Sequence, residues 1–138
     1  MHRESGHTVT EIVSRLRAIL SDRPEIRLAL LFGSIATGTA TSESDLGIAV
    51  STARPMTAQA RLSLMDELAL AFGRPVDLVD LAVTGEPLLG QILAHGVRVL
   101  GDSSVYGDLL YRHLVDAADF LPYRKRILAE RRKLWVAR

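Results

Sequence analysis

The sequence predicts an α/β fold, and two patterns carry that prediction. Short apolar runs of strand length, RLALLF (27–32), LGIAV (46–50) and VDLVDL (76–81), alternate with longer segments whose apolar residues recur at three- and four-residue spacing. Gly and Pro punctuate the joins, at Gly33-Ser34, Gly73-Arg74-Pro75, Gly85-Glu86-Pro87 and Gly96. A chain of 138 residues is long enough for one domain around one core, and 48% apolar with 24% charged residues is an ordinary globular composition.

Each element follows in chain order. Residues 8–20 place Val9, Ile12, Val13, Leu16, Ile19 and Leu20 on one helical stripe, which Asp22, Arg23 and Pro24 end. The run 27–32 is almost unbroken in its apolarity, as a strand buried on both faces requires. Residues 37–44 are small and polar and predict a loop, or a short helix and then a loop. A second strand covers 46–50. Helix returns over 57–72 with Ala60, Leu64, Leu68 and Phe72 in line, and a third strand covers 76–81. Gly85-Glu86-Pro87 opens a helix that runs to His95, and 97–100 forms a fourth short strand. Residues 105–135 are helical in pattern but contain Pro122, which predicts a kink or two helices.

Composition removes several function classes. No Cys is present, which excludes disulfides and thiolate metal sites and favours an intracellular setting. No apolar run is long enough for a signal peptide or a membrane span, so the expected location is cytoplasmic. The net charge is +1, yet from Leu121 onward seven Lys/Arg stand against one Glu. That basic end, with Arg124, Lys125, Arg126, Arg131, Arg132 and Lys133, reads as a solvated helix face. Its apolar residues Ile127, Leu128, Leu134 and Trp135 would pack on the domain or on a partner, and direct nucleic-acid binding is not expected. His2, His7, His95 and His113 are scattered, none at metal-pair spacing, and read as structural or surface residues.

The chemistry concentrates in FGSIATGTATSESDLGIAV (32–50). A tight Gly33-Ser34 turn lets backbone N–H groups and a hydroxyl approach a phosphate with no Cβ in the way. Asp45 and position 47 share one face of a strand because they stand two residues apart. Asp77 can reach the same side from a neighbouring strand. Acids at adjacent strand ends beside such a turn are what a Mg²⁺–nucleotide site needs, since Mg²⁺ takes one or two carboxylates plus phosphate oxygens. Asp77 and Asp80 alternate to opposite faces, and Asp77 is preferred as the ligand, with Asp80 solvated or capping.

This stretch resembles the signature of the minimal nucleotidyltransferase domain: Gly-Ser, ten residues, Asp-x-Asp, and a third acid on a later strand. Ten residues after Ser34 lie Asp45-Leu46-Gly47, and RPVDLVDL supplies Asp77. The resemblance covers residues 12–100 and implies a DNA polymerase beta-like fold: a small mixed sheet flanked by helices. It divides the chain into a nucleotidyltransferase domain over 8–101 and a helical extension over 102–138. The small size and the ending also resemble MntA-type antitoxins. Such an antitoxin transfers AMP from ATP to a tyrosine of a HEPN-domain ribonuclease toxin and forms a hetero-oligomer with it. The resemblance thus implies Gly33 and Ser34 as the nucleotide turn, Asp45 and Asp77 as catalytic acids and Mg²⁺ ligands, and ATP as cosubstrate. The toxin's own Arg-(four to six residues)-His motif is absent before His95 and His113.

Two departures from the pattern matter. Gly47 stands where the second metal-ligating Asp belongs, so the expected activity is weakened or absent. A shifted register pairing Glu43 with Asp45 shortens the loop by two residues, and the unshifted reading is preferred. Thr37 occupies a place where many relatives carry Arg, removing a phosphate clamp. The alternative function is a non-catalytic antitoxin that neutralises its toxin by binding alone. An enzyme modifying a small molecule such as an aminoglycoside would call for a larger chain.

Overall fold

The computed structural model describes residues 8–116. In chain order it contains α1 (Val9–Leu20), β1 (Ile26–Phe32), α2 (Ser34–Thr37), β2 (Leu46–Thr52), α3 (Ala58–Phe72), β3 (Val76–Asp80), α4 (Leu88–His95) and β4 (Val97–Gly101). A further helix, α5, is described over residues 103–116. Pro122, the basic stretch 123–133, Trp135, His2 and His7 lie outside the described residues. No helix among the described residues is long and apolar enough to cross a membrane.

Local chemistry accounts for the helix ends. Thr8 and Glu11 form a capping box: Glu11 N–H donates to Thr8 Oγ1 at 3.1 Å, and Thr8 N–H donates to Glu11 Oε1 at 2.9 Å. Thr8→Ala is therefore expected to cost about 1 kcal/mol, read as a lowered midpoint in urea unfolding. Thr57 caps α3 with its hydroxyl alone, accepting from Ala60 N–H at 3.0 Å. Ser34 begins α2 directly, so the Gly-Ser break is followed at once by one helical turn rather than by loop.

The four strands lie in the order β3-β2-β1-β4. β1 is antiparallel to both β2 and β4, whereas β2 and β3 run parallel. This is the small mixed sheet that the resemblance implies. β1 has a strand on each side and helices on each face, which explains its unbroken apolar run. Ala29 and Leu31 point to one face, where they join Leu46, Ile48, Val50 and Leu78 beneath α1 and α3. Leu28 and Leu30 point to the other, with Ala49, Leu81 and the inward residues of α4 and α5. Alternation along each strand thus builds two apolar layers from one sheet.

α5 joins the second layer through buried Val105 and Leu109. Arg112 ties it to the end of β3, donating to the carbonyls of Leu81 and Thr84 at 2.8 Å each. Asp102 caps its start, accepting from Ser104 N–H at 2.9 Å and from Arg27 Nη2 at 3.0 Å. The Arg27 hydrogen bond, then the Ser104 N–H, hold the Asp102 carboxyl below its ordinary range. A carboxylate with a depressed folded-state pKa stabilises the fold above its unfolded pKa and loses that contribution as pH falls. Wild type should therefore lose more stability than Asp102→Asn on acidification below about pH 4, as followed by thermal melts across that range.

Candidate active site

β1 delivers the first part of the site. After Phe32 the chain turns at Gly33, with φ +86° and ψ −161°. An L side chain is strained at that φ, and a Cβ placed there would meet nothing within 4 Å, so the turn opens to solvent. The N–H groups of Ser34, Ile35 and Ala36 precede the first helical bond of α2, Thr37 N–H to Gly33 C=O at 3.2 Å. Ile35 anchors the turn in the core. Thr37 bends its hydroxyl back onto its own helix, within 3.4 Å of Gly33 C=O and 3.3 Å of Ser34 C=O. It offers no cation to a phosphate. Gly38, at φ +79°, ends α2 and starts the loop towards β2.

The acids come from the next two strands. Asp45 is the last residue before β2. Gly47 pairs with Phe32 of β1 on one side and with Asp77 of β3 on the other. Residues in register on adjacent strands face the same way, so Gly47 and Asp77 share a face, and Asp45 shares it by its two-residue spacing. Leu46 and Ile48 turn to the opposite layer, while Ala49 and Val79 belong to this one. Asp45 and Asp77 are both exposed, and no ion pair among the described residues takes either carboxylate. Asp80 is engaged elsewhere: its Oδ1 accepts from Ala82 N–H at 2.9 Å, closing the turn after β3. Glu43 lies in a turn before β2, off the sheet.

Against Gly47 the structure packs an aromatic ring. A Cβ on Gly47 would stand 2.7 Å from Phe32 C=O and 3.1 Å from two atoms of the Phe32 ring. The backbone contact is closer than any Cβ tolerates, so Gly47 is a packing requirement of the β1–β2 pair. The role of Phe32 escaped the sequence reading. Its signal lay in the Phe32–Gly47 pairing, which needs the register to be known.

The residues fit a metal only in part. No cluster of three or more His, Asp or Glu able to hold a metal occurs among the described residues. Two exposed carboxylates on one face do suit a single Mg²⁺ that brings phosphate oxygens as its other ligands. A set of three protein carboxylates is not there. Beside the turn opens a cavity of about 400 Å³ lined by Phe32, Gly33, Thr37, Leu88, Gln91, Ile92 and His95, a volume in the range of small-ligand sites. His95, read from sequence as a structural or surface residue, is exposed at its wall.

Comparison with known proteins shows the family. The protein adenylyltransferase MntA of Shewanella oneidensis is 35% identical over 86 residues, which cover 62% of this chain and 62% of that protein. A chain in a toxin-antitoxin crystal structure with AMP-PNP superposes with a TM-score of 0.72 at 28% identity, covering 86% of this chain and 96% of its own length. A chain of the MntA-HepT toxin-antitoxin crystal structure gives 0.65 at 26%, covering 86% and 94%. The family model for polymerase beta nucleotidyltransferases matches residues 14–104, which include the Gly33-Ser34 turn, both acids and all four strands. The chain belongs to the polymerase beta nucleotidyltransferase family.

Proposed function

We propose that this protein is an antitoxin of the MntA kind, which transfers AMP from ATP to a tyrosine hydroxyl of a cognate HEPN ribonuclease toxin and binds that toxin in a hetero-oligomer. One observation carries the reading: the open Gly33-Ser34 turn stands at the same sheet end as two exposed carboxylates, Asp45 and Asp77, on one face. The similarity to a protein adenylyltransferase and to a complex with an ATP analogue supports it.

In this reading Ser34 and the neighbouring N–H groups hold phosphate oxygens, and Asp45 and Asp77 hold Mg²⁺ together with the triphosphate. Mg²⁺, when bound, neutralises the charge that builds on the phosphate oxygens. The tyrosine oxygen attacks the α-phosphorus in line. A new P–O bond forms, the bond to the β-phosphate bridging oxygen breaks, pyrophosphate leaves, and the hydroxyl proton passes to solvent. Gly47 supplies no third carboxylate, so transfer is slow. A cytoplasmic setting goes with this use of ATP.

Gly47 also favours a second reading, in which the fold is kept and the toxin is silenced by occlusion alone. Incubating the toxin with Mg·ATP and this protein, and then reading intact toxin mass and ribonuclease activity, separates the two. The expected result is slow AMP addition that Asp45→Asn reduces by about 100-fold or more. A toxin silenced at unchanged mass, by wild type and Asp45→Asn alike, would establish the second reading.

A further inference from the structure

The loop that brings Asp45 to the sheet, residues 38–45, runs over a cavity of about 320 Å³ whose walls include Ile12, Arg15, Ile35, Gly38, Thr41 and Arg74. Thr41, Ser42 and Glu43 are exposed, so packing does little to hold the loop in place. Hydrogen bonds hold it instead. Thr41 N–H donates to Ser44 Oγ at 2.8 Å and Glu43 N–H donates to Thr41 Oγ1 at 3.3 Å, which shapes the loop without attaching it to the sheet.

The attachment comes from Arg74. Its Nη1 donates to Ser44 C=O at 2.8 Å and to Thr41 C=O at 3.2 Å. The next residue grips the other side of Asp45, because Leu46 N–H donates to Pro75 C=O at 2.8 Å. Arg74-Pro75 then leads into β3, whose second residue is Asp77. One short segment therefore holds the backbone immediately before and immediately after Asp45, and carries Asp77 on its own strand.

We infer that Arg74 is a positioning residue. By fixing the Ser44 and Thr41 carbonyls, it sets where Asp45 stands relative to Asp77, so that the two carboxylates close on one Mg²⁺–nucleotide. It acts through the backbone beside Asp45. A planar guanidinium held by two carbonyls gives a fixed geometry that a flexible ammonium does not. With one acid replaced by Gly47, the placement of the remaining two matters more. The inference rests on the proposed role of Asp45 and Asp77 as Mg²⁺ ligands.

Calorimetric titration with ATP, once in Mg²⁺ and once in EDTA, gives the factor by which Mg²⁺ tightens binding. For wild type that factor should exceed one, and Asp45→Asn should abolish it. Arg74→Ala should lower the factor by about tenfold, as removing an outer-shell support does at other metal sites, with affinity in EDTA unchanged. Arg74→Lys should fall between, and the double variant Asp45→Asn/Arg74→Ala should be no worse than Asp45→Asn alone. Arg74→Lys, checked for folding by thermal melt, carries the test if Arg74→Ala does not fold. A full Mg²⁺ factor in Arg74→Ala, or an equal loss in Mg²⁺ and EDTA, would overturn the inference alone. A wild type that gains nothing from Mg²⁺ would remove the metal role of both acids and this inference with it.

Discussion

Gly47→Asp is expected to raise AMP transfer about 100-fold or more, because a third carboxylate restores several kcal/mol of transition-state stabilisation. The same change is expected to lower folding stability by about 1–3 kcal/mol, the usual cost of forcing atoms into a packed region. The stability loss has its origin in the 2.7 Å that would separate a Cβ at this position from Phe32 C=O. To admit any side chain, the Phe32 carbonyl and Gly47 must move apart, and the Phe32 ring must give by a few tenths of an ångström. Gly47→Ala separates the two consequences: it should carry the stability loss and leave the transfer rate no higher than wild type. Adding Phe32→Leu to Gly47→Asp should recover only part of the stability, since it relieves the ring contact and leaves the carbonyl in place. Initial rates from intact toxin mass, together with urea unfolding of each variant, check all three expectations. Unchanged transfer in a folded Gly47→Asp would mean that the third acid does not limit this protein.

Leu31→Ala should have the largest effect on stability, about 2–5 kcal/mol. Leu31 is fully buried on β1, in register with Ile48 on one neighbouring strand and Val97 on the other. Its side chain belongs to the layer under α1 and α3, where truncation leaves a void bounded by helices and sheet that cannot close in. At about 3–5 °C per kcal/mol for a domain of this size, the thermal midpoint should drop well beyond experimental error. Leu70→Ala is the matched control: Leu70 is 87% exposed on α3, and its loss should stay within about 0.5 kcal/mol. Comparable losses at both sites would mean that the α3 surface is buried against something in solution.

Most of the fold was legible in the sequence because its signals are local. The stripe from Val9 to Leu20 is a periodicity that any helix-packing face imposes, and the structure buries Val13, Leu16 and Leu20 from it. RLALLF reads as a doubly buried strand, and β1 sits inside the sheet with neighbours on both edges. The four strand positions, the helix opening after Gly85-Glu86-Pro87 and the family itself follow from runs, breaks and one spaced motif. The Gly33-Ser34 turn was legible for the same reason, since a glycine between an apolar strand and a small-residue segment marks a special backbone angle, here φ +86°.

What the sequence determined by itself is the list of parts: an α/β alternation, a turn at Gly33-Ser34, candidate acids at Asp45 and Asp77, and a glycine at position 47. What only the tertiary structure decided is how those parts meet. Register across three strands places Phe32, Gly47 and Asp77 side by side, and it packs the Phe32 ring and carbonyl so close that position 47 has no room for a side chain. Arg74 stands 29 residues after Asp45 in the chain, yet it holds the carbonyl beside it. Sequence patterns record which face a residue turns, because that depends on neighbours a few positions away. They do not record which carbonyl a distant guanidinium will reach or how closely two strands approach, since those depend on the packing of the whole sheet.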